Sequence, residues 1–271
     1  MQNEVEKPVS TSEKINEFVQ KHRKSLFVLA VAALAILIAC IATFSLMDVL
    51  QGKANEAVEQ LASRYETLRP SINVLEDTVA ESAVAETAAA DSAEESAEET
   101  STAEPAIDEL AALMEELETF AKKHSGIAAG YAGGRAWSIL ASIHGDRKDW
   151  EQAEAAWAAA AKAGKKTYLA PLALFNAGAA AEEQGRAAQA IEYYSASLSA
   201  AADFPAAPRA QFAVGRLQES LGETDAAMEA YRAVISGWSY DKVWTNLAQS
   251  RIIALEAAAV ESGEAGEAGE E

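Results

Sequence analysis

Residues 134–170 read GRAWSILASIHGDRKDWEQAEAAWAAAAKAGKKTYLA, residues 171–207 read PLALFNAGAAAEEQGRAAQAIEYYSASLSAAADFPAA, and residues 208–244 read PRAQFAVGRLQESLGETDAAMEAYRAVISGWSYDKVW. Laid over one another, the three stretches share a period of 37 residues. Trp137-x-x-Leu140-Ala141 falls on Leu174-x-x-Ala177-Gly178 and on Gln211-x-x-Val214-Gly215. Downstream, Ala153-x-x-x-Trp157-x-x-Ala160 falls on Ala190-x-x-x-Tyr194-x-x-Ser197 and on Ala227-x-x-x-Tyr231-x-x-Val234. Spacings of three and four put each set on one helical face, so each repeat predicts two helices. The small residue lets the paired helix approach, and the aromatic fills the space beside it. Asp149, Gly185-Arg186 and Gly222-Glu223 lie where the two helices of a repeat should break. Ala170-Pro171 and Ala207-Pro208 mark the starts of the next units.

This pattern resembles the tetratricopeptide repeat, whose marks are W-x-x-L-G followed by A-x-x-x-Y/F-x-x-A over about 34 residues. The resemblance covers 134–241, with inter-repeat loops roughly three residues longer than the family's. It implies an all-α solenoid of stacked helix pairs, with a concave groove lined by the first helices. It further implies that the groove binds protein, as an extended peptide or a partner helix, and that no cofactor is involved. The family's groove positions fall here on Arg135, Phe175, Asn176, Arg209, Phe212 and Arg216, together with Ser138 and Ser142. Phe175 and Phe212 fit the core equally well. Some members clamp a C-terminal carboxylate with basic and Asn side chains. Asn176 and Arg209 match two of those positions, but Ser138, Ser142 and Ala213 replace the others, which argues against a clamp.

Partial units flank the array. Residues 106–123 predict an amphipathic helix with Ile107, Leu110, Leu113, Met114, Leu117 and Phe120 on one face, packed under the first repeat. Residues 242–259 carry Trp244-x-x-Leu247-Ala248, a first helix that closes the stack as a cap. A further helix is expected over 53–68, ended by Pro70. The sequence leaves its docking partner open, and an incomplete repeat separated from the array is one reading.

Ahead of all this, Leu26 to Met47 is an uncharged run of 22 residues, LFVLAVAALAILIACIATFSLM. At ~1.5 Å per residue it reaches across a hydrocarbon core of ~30 Å. Lys21, Arg23 and Lys24 precede it, and Asp48 follows. The positive-inside rule then keeps the N-terminus cytoplasmic and sends the C-terminal portion across the membrane. Leu37-Ile38-Ala39-Cys40 resembles a bacterial lipobox, but the apolar sequel favours a spanning helix over a lipid anchor.

The 271 residues include 22 basic and 42 acidic ones, for a net charge of −20. Residues 76–106 hold ten Asp/Glu and no Lys or Arg, and residues 256–271 add six Glu. These low-complexity tracts hold most of the excess, and such composition reads as solvated linker and tail. The expected organisation is a cytoplasmic tail (1–24), membrane helix (25–47), juxtamembrane helix (48–75), acidic linker (76–106), repeat domain (107–260) and acidic tail (261–271). The acidity argues against nucleic acid as a partner. One cysteine excludes an internal disulfide, and three scattered histidines leave no metal site and no metalloenzyme pattern. No phosphate-binding loop or nucleophile elbow appears. Gly130-Tyr131-Ala132-Gly133-Gly134 reads as a loop before the first repeat, and His144 as a packing residue. No catalytic residue is assigned. Short tail, single span and exported repeats resemble bacterial inner-membrane proteins that accompany the secretion translocon and periplasmic chaperones. Exported chains, chaperone components or translocon components are the partners that layout implies. A lipid-anchored envelope-assembly component through Cys40, and a docking subunit of a ligand-uptake system, are the alternatives.

Overall fold

The computed structural model describes residues 18–85, 95–126 and 130–267. Their regular structure is helical, with no strand among the described residues. In chain order the helices are α1 (Arg23–Ala85), α2 (Glu95–Lys123), α3 (Gly130–Asp146), α4 (Trp150–Ala163), α5 (Leu169–Glu183), α6 (Ala187–Ala200), α7 (Ala207–Ser220), α8 (Thr224–Gly237) and α9 (Lys242–Glu267). The chain divides into two compact units, Met1–Gly52 and Lys53–Glu271.

The first unit holds the apolar part of α1. Phe27, Leu34, Ile38, Ile41 and Phe44 are all exposed, and the most apolar window has no buried residue. By length and composition this is a helix able to cross a membrane. Thr43 donates its hydroxyl to the Ala39 carbonyl at 3.0 Å, so the one polar side chain of that turn is satisfied within the helix.

The second unit is a right-through stack of helix pairs, each element packing on its sequence neighbours from α2 to α9. The three repeats read from sequence are the pairs α3/α4, α5/α6 and α7/α8. The turns inside them share one conformation. Lys148, Gly185 and Gly222 occupy equivalent positions with φ of 59°, 70° and 79°. Glycine suits that left-handed backbone at the second and third turns, while Lys148 adopts it against its Cβ.

A fourth pair precedes these three, and its first helix is the segment of α1 after Gly52. Val58, Leu61, Ala62, Tyr65 and Leu68 share one core with Leu110, Leu113, Leu117 and Ala121 of α2 and with Ala132, Ala136, Ile139 and Ile143 of α3. Val58, Leu113 and Leu117 are fully buried. Each such side chain contributes about 1.5–3 kcal/mol by leaving water. The repeat spacing returns here: Val58-x-x-Leu61-Ala62 matches the first-helix pattern, and Leu110-x-x-x-Met114-x-x-Leu117 matches the second. Val58 and Leu110 are 52 residues apart, whereas Trp137 and Ala153 are 16 apart, an excess of 36 residues. The acidic tract therefore interrupts a repeat. It enters where the other repeats have their short turn.

Several local expectations are corrected. Pro70 does not end its helix, since α1 continues through it to Ala85. Pro70 is exposed, so water can satisfy the carbonyl that its missing N–H leaves free. Gly130 to Gly134 is not a loop but the first turn of α3. A Cβ at Gly133 would collide with the His124 carbonyl, so glycine there serves a close backbone crossing between α2 and α3. Ile107 is exposed, at the edge of the α2 face it was expected to join. The cap α9 extends past 259 to Glu267. Residues 86–94 of the acidic tract and residues 268–271 of the tail lie outside the described residues, as do residues 1–17 of the tail before the span.

One buried polar cluster locks repeat to repeat. Glu154 of α4 is buried and forms an ion pair with Arg186, at the start of the next repeat's second helix. Gln184 and Gln189 each donate an amide hydrogen to it at 3.0 Å. A buried carboxylate with a cationic partner and two amide donors is adequately solvated by the protein.

Candidate binding groove

The first helices of the four pairs line one surface, and each repeat places side chains at two equivalent positions beside it. In the third and fourth pairs these are Phe175 with Tyr194 and Phe212 with Tyr231. The two ring pairs have the same geometry, centroids 5.3 Å apart at 48° and 47°. Gly178 and Gly215 make room for them. A Cβ at either would lie 2.8 Å from the tyrosine ring of the same repeat, so the close partner of each glycine is a ring of the second helix.

Each tyrosine then reaches a carboxylate one helix away. Tyr194 donates to Glu182 at 3.1 Å, and Tyr231 donates to Glu219 at 2.9 Å. Arg216 pairs with Glu182 at 2.5 Å, and Arg251 of α9 pairs with Glu219. The chain thus writes one Tyr–Glu–Arg unit twice, and each unit bridges a repeat to the following first helix. Burial pushes the Tyr231 phenol up to about 12, helped by its hydrogen bond to Glu219 and that carboxylate's charge. The Tyr194 phenol is raised in the same way, by burial first and Glu182 second. For Glu219 burial acts upward, but the hydrogen bonds from Arg251 and Tyr231 prevail and hold it below the usual carboxylate range.

In the pair α3/α4 the corresponding residues are Ser138, Trp157 and Gly145. Serine turns its hydroxyl back to the Gly134 carbonyl at 2.8 Å and is buried. The surface over this pair holds a cavity of about 430 Å³, lined by Tyr65, Arg69, Arg135, Ser142, Trp157 and Asn176 among others. A second depression of about 240 Å³ is lined by Phe175, Tyr194, Arg209, Phe212, Arg216 and Trp244. Ala179 and Glu183 line both, so the two are neighbouring parts of one groove. Phe212 and Arg216 also border a third depression of about 360 Å³ with Tyr231 and Arg251.

The six groove residues read from sequence fall into two groups. Phe175, Arg209, Phe212 and Arg216 converge on one depression, while Arg135 and Asn176 line the larger cavity. Phe175 is mostly core: it is buried and packs on Tyr194 and Phe204, and only its face is covered by the exposed Arg209 guanidinium at 5.3 Å. Phe212 is half-buried between Tyr231 and Trp244. Arg135 faces Glu59 at 3.5 Å, and Tyr131 donates to the same carboxylate at 3.0 Å. Tyr65 and Arg69 were missed. Tyr65 donates to Asp146 at 2.5 Å, and Arg69 pairs with the same group at 3.2 Å. The 58-61-62 spacing was the signal that could have found them, had α1 been aligned with the repeats.

The groove offers aromatic faces, an amide, guanidinium groups and the carboxylates of Glu66, Asp146, Glu182 and Glu183. His144 places Nδ1 3.7 Å from Asp149, beyond hydrogen-bond reach. Among the described residues no group of three His, Cys, Asp or Glu side chains is placed to hold a metal ion.

A family model for the tetratricopeptide repeat matches residues 172–204 and 208–236, which are the third and fourth helix pairs. A TPR repeat-containing protein of Treponema pallidum (strain Nichols) is 31% identical over 192 residues, covering 71% of this chain and 72% of that protein. The chain belongs to the tetratricopeptide-repeat family. Proteins of this family are in general non-catalytic scaffolds for protein–protein contacts, and the groove geometry accords with that coarse role. The first tetratricopeptide pair, split by 36 residues, and the second, with serine in place of phenylalanine, both lie outside the matched stretches.

Proposed function

We propose that this tetratricopeptide protein is a membrane-tethered scaffold that presents its groove outside the cytoplasm to extended segments of protein partners. Exported chains and the secretion or folding components that handle them are the partner class. The observation that carries the reading is the groove itself. Four first helices contribute to a continuous surface in which aromatic rings sit beside Arg69, Arg135, Arg209 and Arg216. Rings and guanidinium groups are the side chains that most often anchor protein partners. The exposed apolar helix at the N-terminal end, with basic residues ahead of it and Asp48 after it, supports tethering with the repeats outside. A tether raises effective concentration at the membrane, so modest groove affinity suffices.

The test is cross-linked capture from membranes by the full chain and by Arg209→Glu with Arg216→Glu. Both side chains are exposed, so the double variant should keep its helicity, with a small fall in melting temperature from loss of the Arg216–Glu182 pair, while losing the captured partners at least several-fold. An unchanged capture profile would place binding elsewhere. For topology, protease added to spheroplasts should digest the repeat unit; protection until lysis would reverse the orientation.

A further inference from the structure

Two arginines of α7 reach back to α5, the first helix before it. Arg216 pairs with Glu182, and Arg209 covers the Phe175 ring at 5.3 Å. Two repeats earlier, the position of Arg209 is held by Arg135 of α3, and that of Phe175 by Glu59 of α1. Those two side chains also meet, at 3.5 Å, so the same contact recurs in the same register. In that register Glu182 falls on Glu66, but Arg216 falls on Ser142. The junction of α1 with α3 thus keeps the carboxylate and omits the guanidinium. At the junction of α3 with α5 both are omitted, because Gly145 stands at the Glu182 position and Ala179 at the Arg216 position.

Glu66, Ser142, Gly145 and Ala179 all line the cavity of about 430 Å³. The cavity's own arginines are occupied, Arg69 with Asp146 at 3.2 Å and Arg135 with Glu59. Glu66 of α1 and Glu183 of α5 are exposed, and neither has an ion pair or a hydrogen bond among the described residues. The charge left uncompensated in the cavity is therefore negative. Trp150 and Trp157 of α4 supply half-buried indole rings to the same cavity. Unpaired carboxylates beside tryptophan faces attract a cation, by charge and through the ring quadrupole. The volume is in the range of pockets that enclose a ligand group rather than a bare ion.

We infer that this cavity takes a basic side chain, arginine or lysine, of the extended segment bound in the groove, an assignment that rests on the scaffold reading above. The incoming cation stands over Ser142, in the place that Arg216 holds two repeats later. Its head group meets Glu66, with Glu183 and the indole rings beside it. At its later junctions the array supplies this cation from its own chain, through Arg216 and Arg251. At its first junction the partner supplies it.

The test uses the full chain in detergent micelles, with fluorotryptophan at its five tryptophans and the fluorine signals assigned through Trp→Phe variants. The probe is an end-blocked Ala/Gly peptide with one central arginine, set against peptides with lysine, citrulline or glutamate in its place. The arginine and lysine peptides should shift the Trp150 and Trp157 signals saturably. The uncharged citrulline peptide and the glutamate peptide should bind about five-fold more weakly or less. Glu66→Gln should weaken the arginine peptide about five-fold, with circular dichroism and melting temperature unchanged. Ser142→Arg, which writes the missing guanidinium into the chain, should move the same signals without peptide and abolish the response to it. Equal affinity for the arginine and citrulline peptides would overturn the inference. So would a response confined to Trp244, a response indifferent to Glu66→Gln, or none at all. Partner capture that depends on Arg209 and Arg216, found together with silent tryptophans, would remove the basic-residue assignment and leave the scaffold reading standing.

Discussion

Arg64 donates a hydrogen bond to Glu116 at 2.5 Å across 52 residues of sequence, joining α1 to α2 over the acidic tract. The pair is exposed and contributes at most about 1 kcal/mol. It joins two helices whose Val58, Leu113 and Leu117 are fully buried in one shared core. Those side chains, not the ion pair, hold the interrupted repeat closed.

Leu113→Ala should therefore destabilise the repeat unit by about 2–5 kcal/mol, and Val58→Ala by about 2 kcal/mol. Arg64→Ala should cost under about 1 kcal/mol. Deleting 80–103 should shift the melting temperature by less than about 5 °C, because loop closure depends only weakly on length. Denaturant and thermal melts of the full chain in detergent decide this. A Val58→Ala chain as stable as the parent would mean that α1 does not belong to the array.

Gly178→Leu and Gly215→Leu should each cost about 1–3 kcal/mol by forcing the Tyr194 or Tyr231 ring out of place. Gly237→Leu is the control, since nothing lies within 4 Å of its Cβ position. Equal effects at all three sites, measured by thermal melts, would count against the packing described for the glycines.

Lys148→Gly should stabilise the second pair, because the left-handed backbone at φ of 59° penalises any Cβ. The gain is up to about 1 kcal/mol, reduced by glycine's greater freedom when unfolded. Gly185→Ala and Gly222→Ala should move the other way by a similar amount. Three parallel denaturation curves give the signs.

The Tyr231 phenol is raised to about 12, above the unfolded value near 10. A proton held more tightly in the folded chain contributes stability that is complete below pH 10. That contribution is lost as the pH climbs through 12. Absorbance at 295 nm should show a late phase in which phenolate appears along with loss of helix signal. Tyr231→Phe should remove part of that phase while preserving the ring packing. All seven tyrosines titrating together near pH 10 would contradict the burial described here.

Much of the architecture was legible because its signals are local. The 37-residue phase located the six helices from α3 to α8, and the glycine turns located their breaks. What escaped depended on contacts between distant residues. Val58-x-x-Leu61-Ala62 carries the repeat spacing, but its partner helix begins on the far side of a low-complexity tract, so the phase is broken. Gly133 looked like loop glycine because its requirement is imposed by the His124 carbonyl, which no spacing announces. Phe175 and Phe212 share a pattern position, yet one is core and the other half-exposed, since Phe204 covers only the first. The groove was read one helix too short for the same reason that the first repeat was missed.

The insertion within the first repeat also changes what a single backbone break would do. Residues 86–94 lie between two helices that share a core, so a protease cut there divides the chain without dividing that core. The two fragments would stay together through Leu61, Ala62, Tyr65 and Leu68 packed on α2 and α3. Release would then require the first helix pair to unfold. A nick in a tether outside the array would detach the whole array in one step, whereas here the non-covalent clasp survives the loss of covalent continuity.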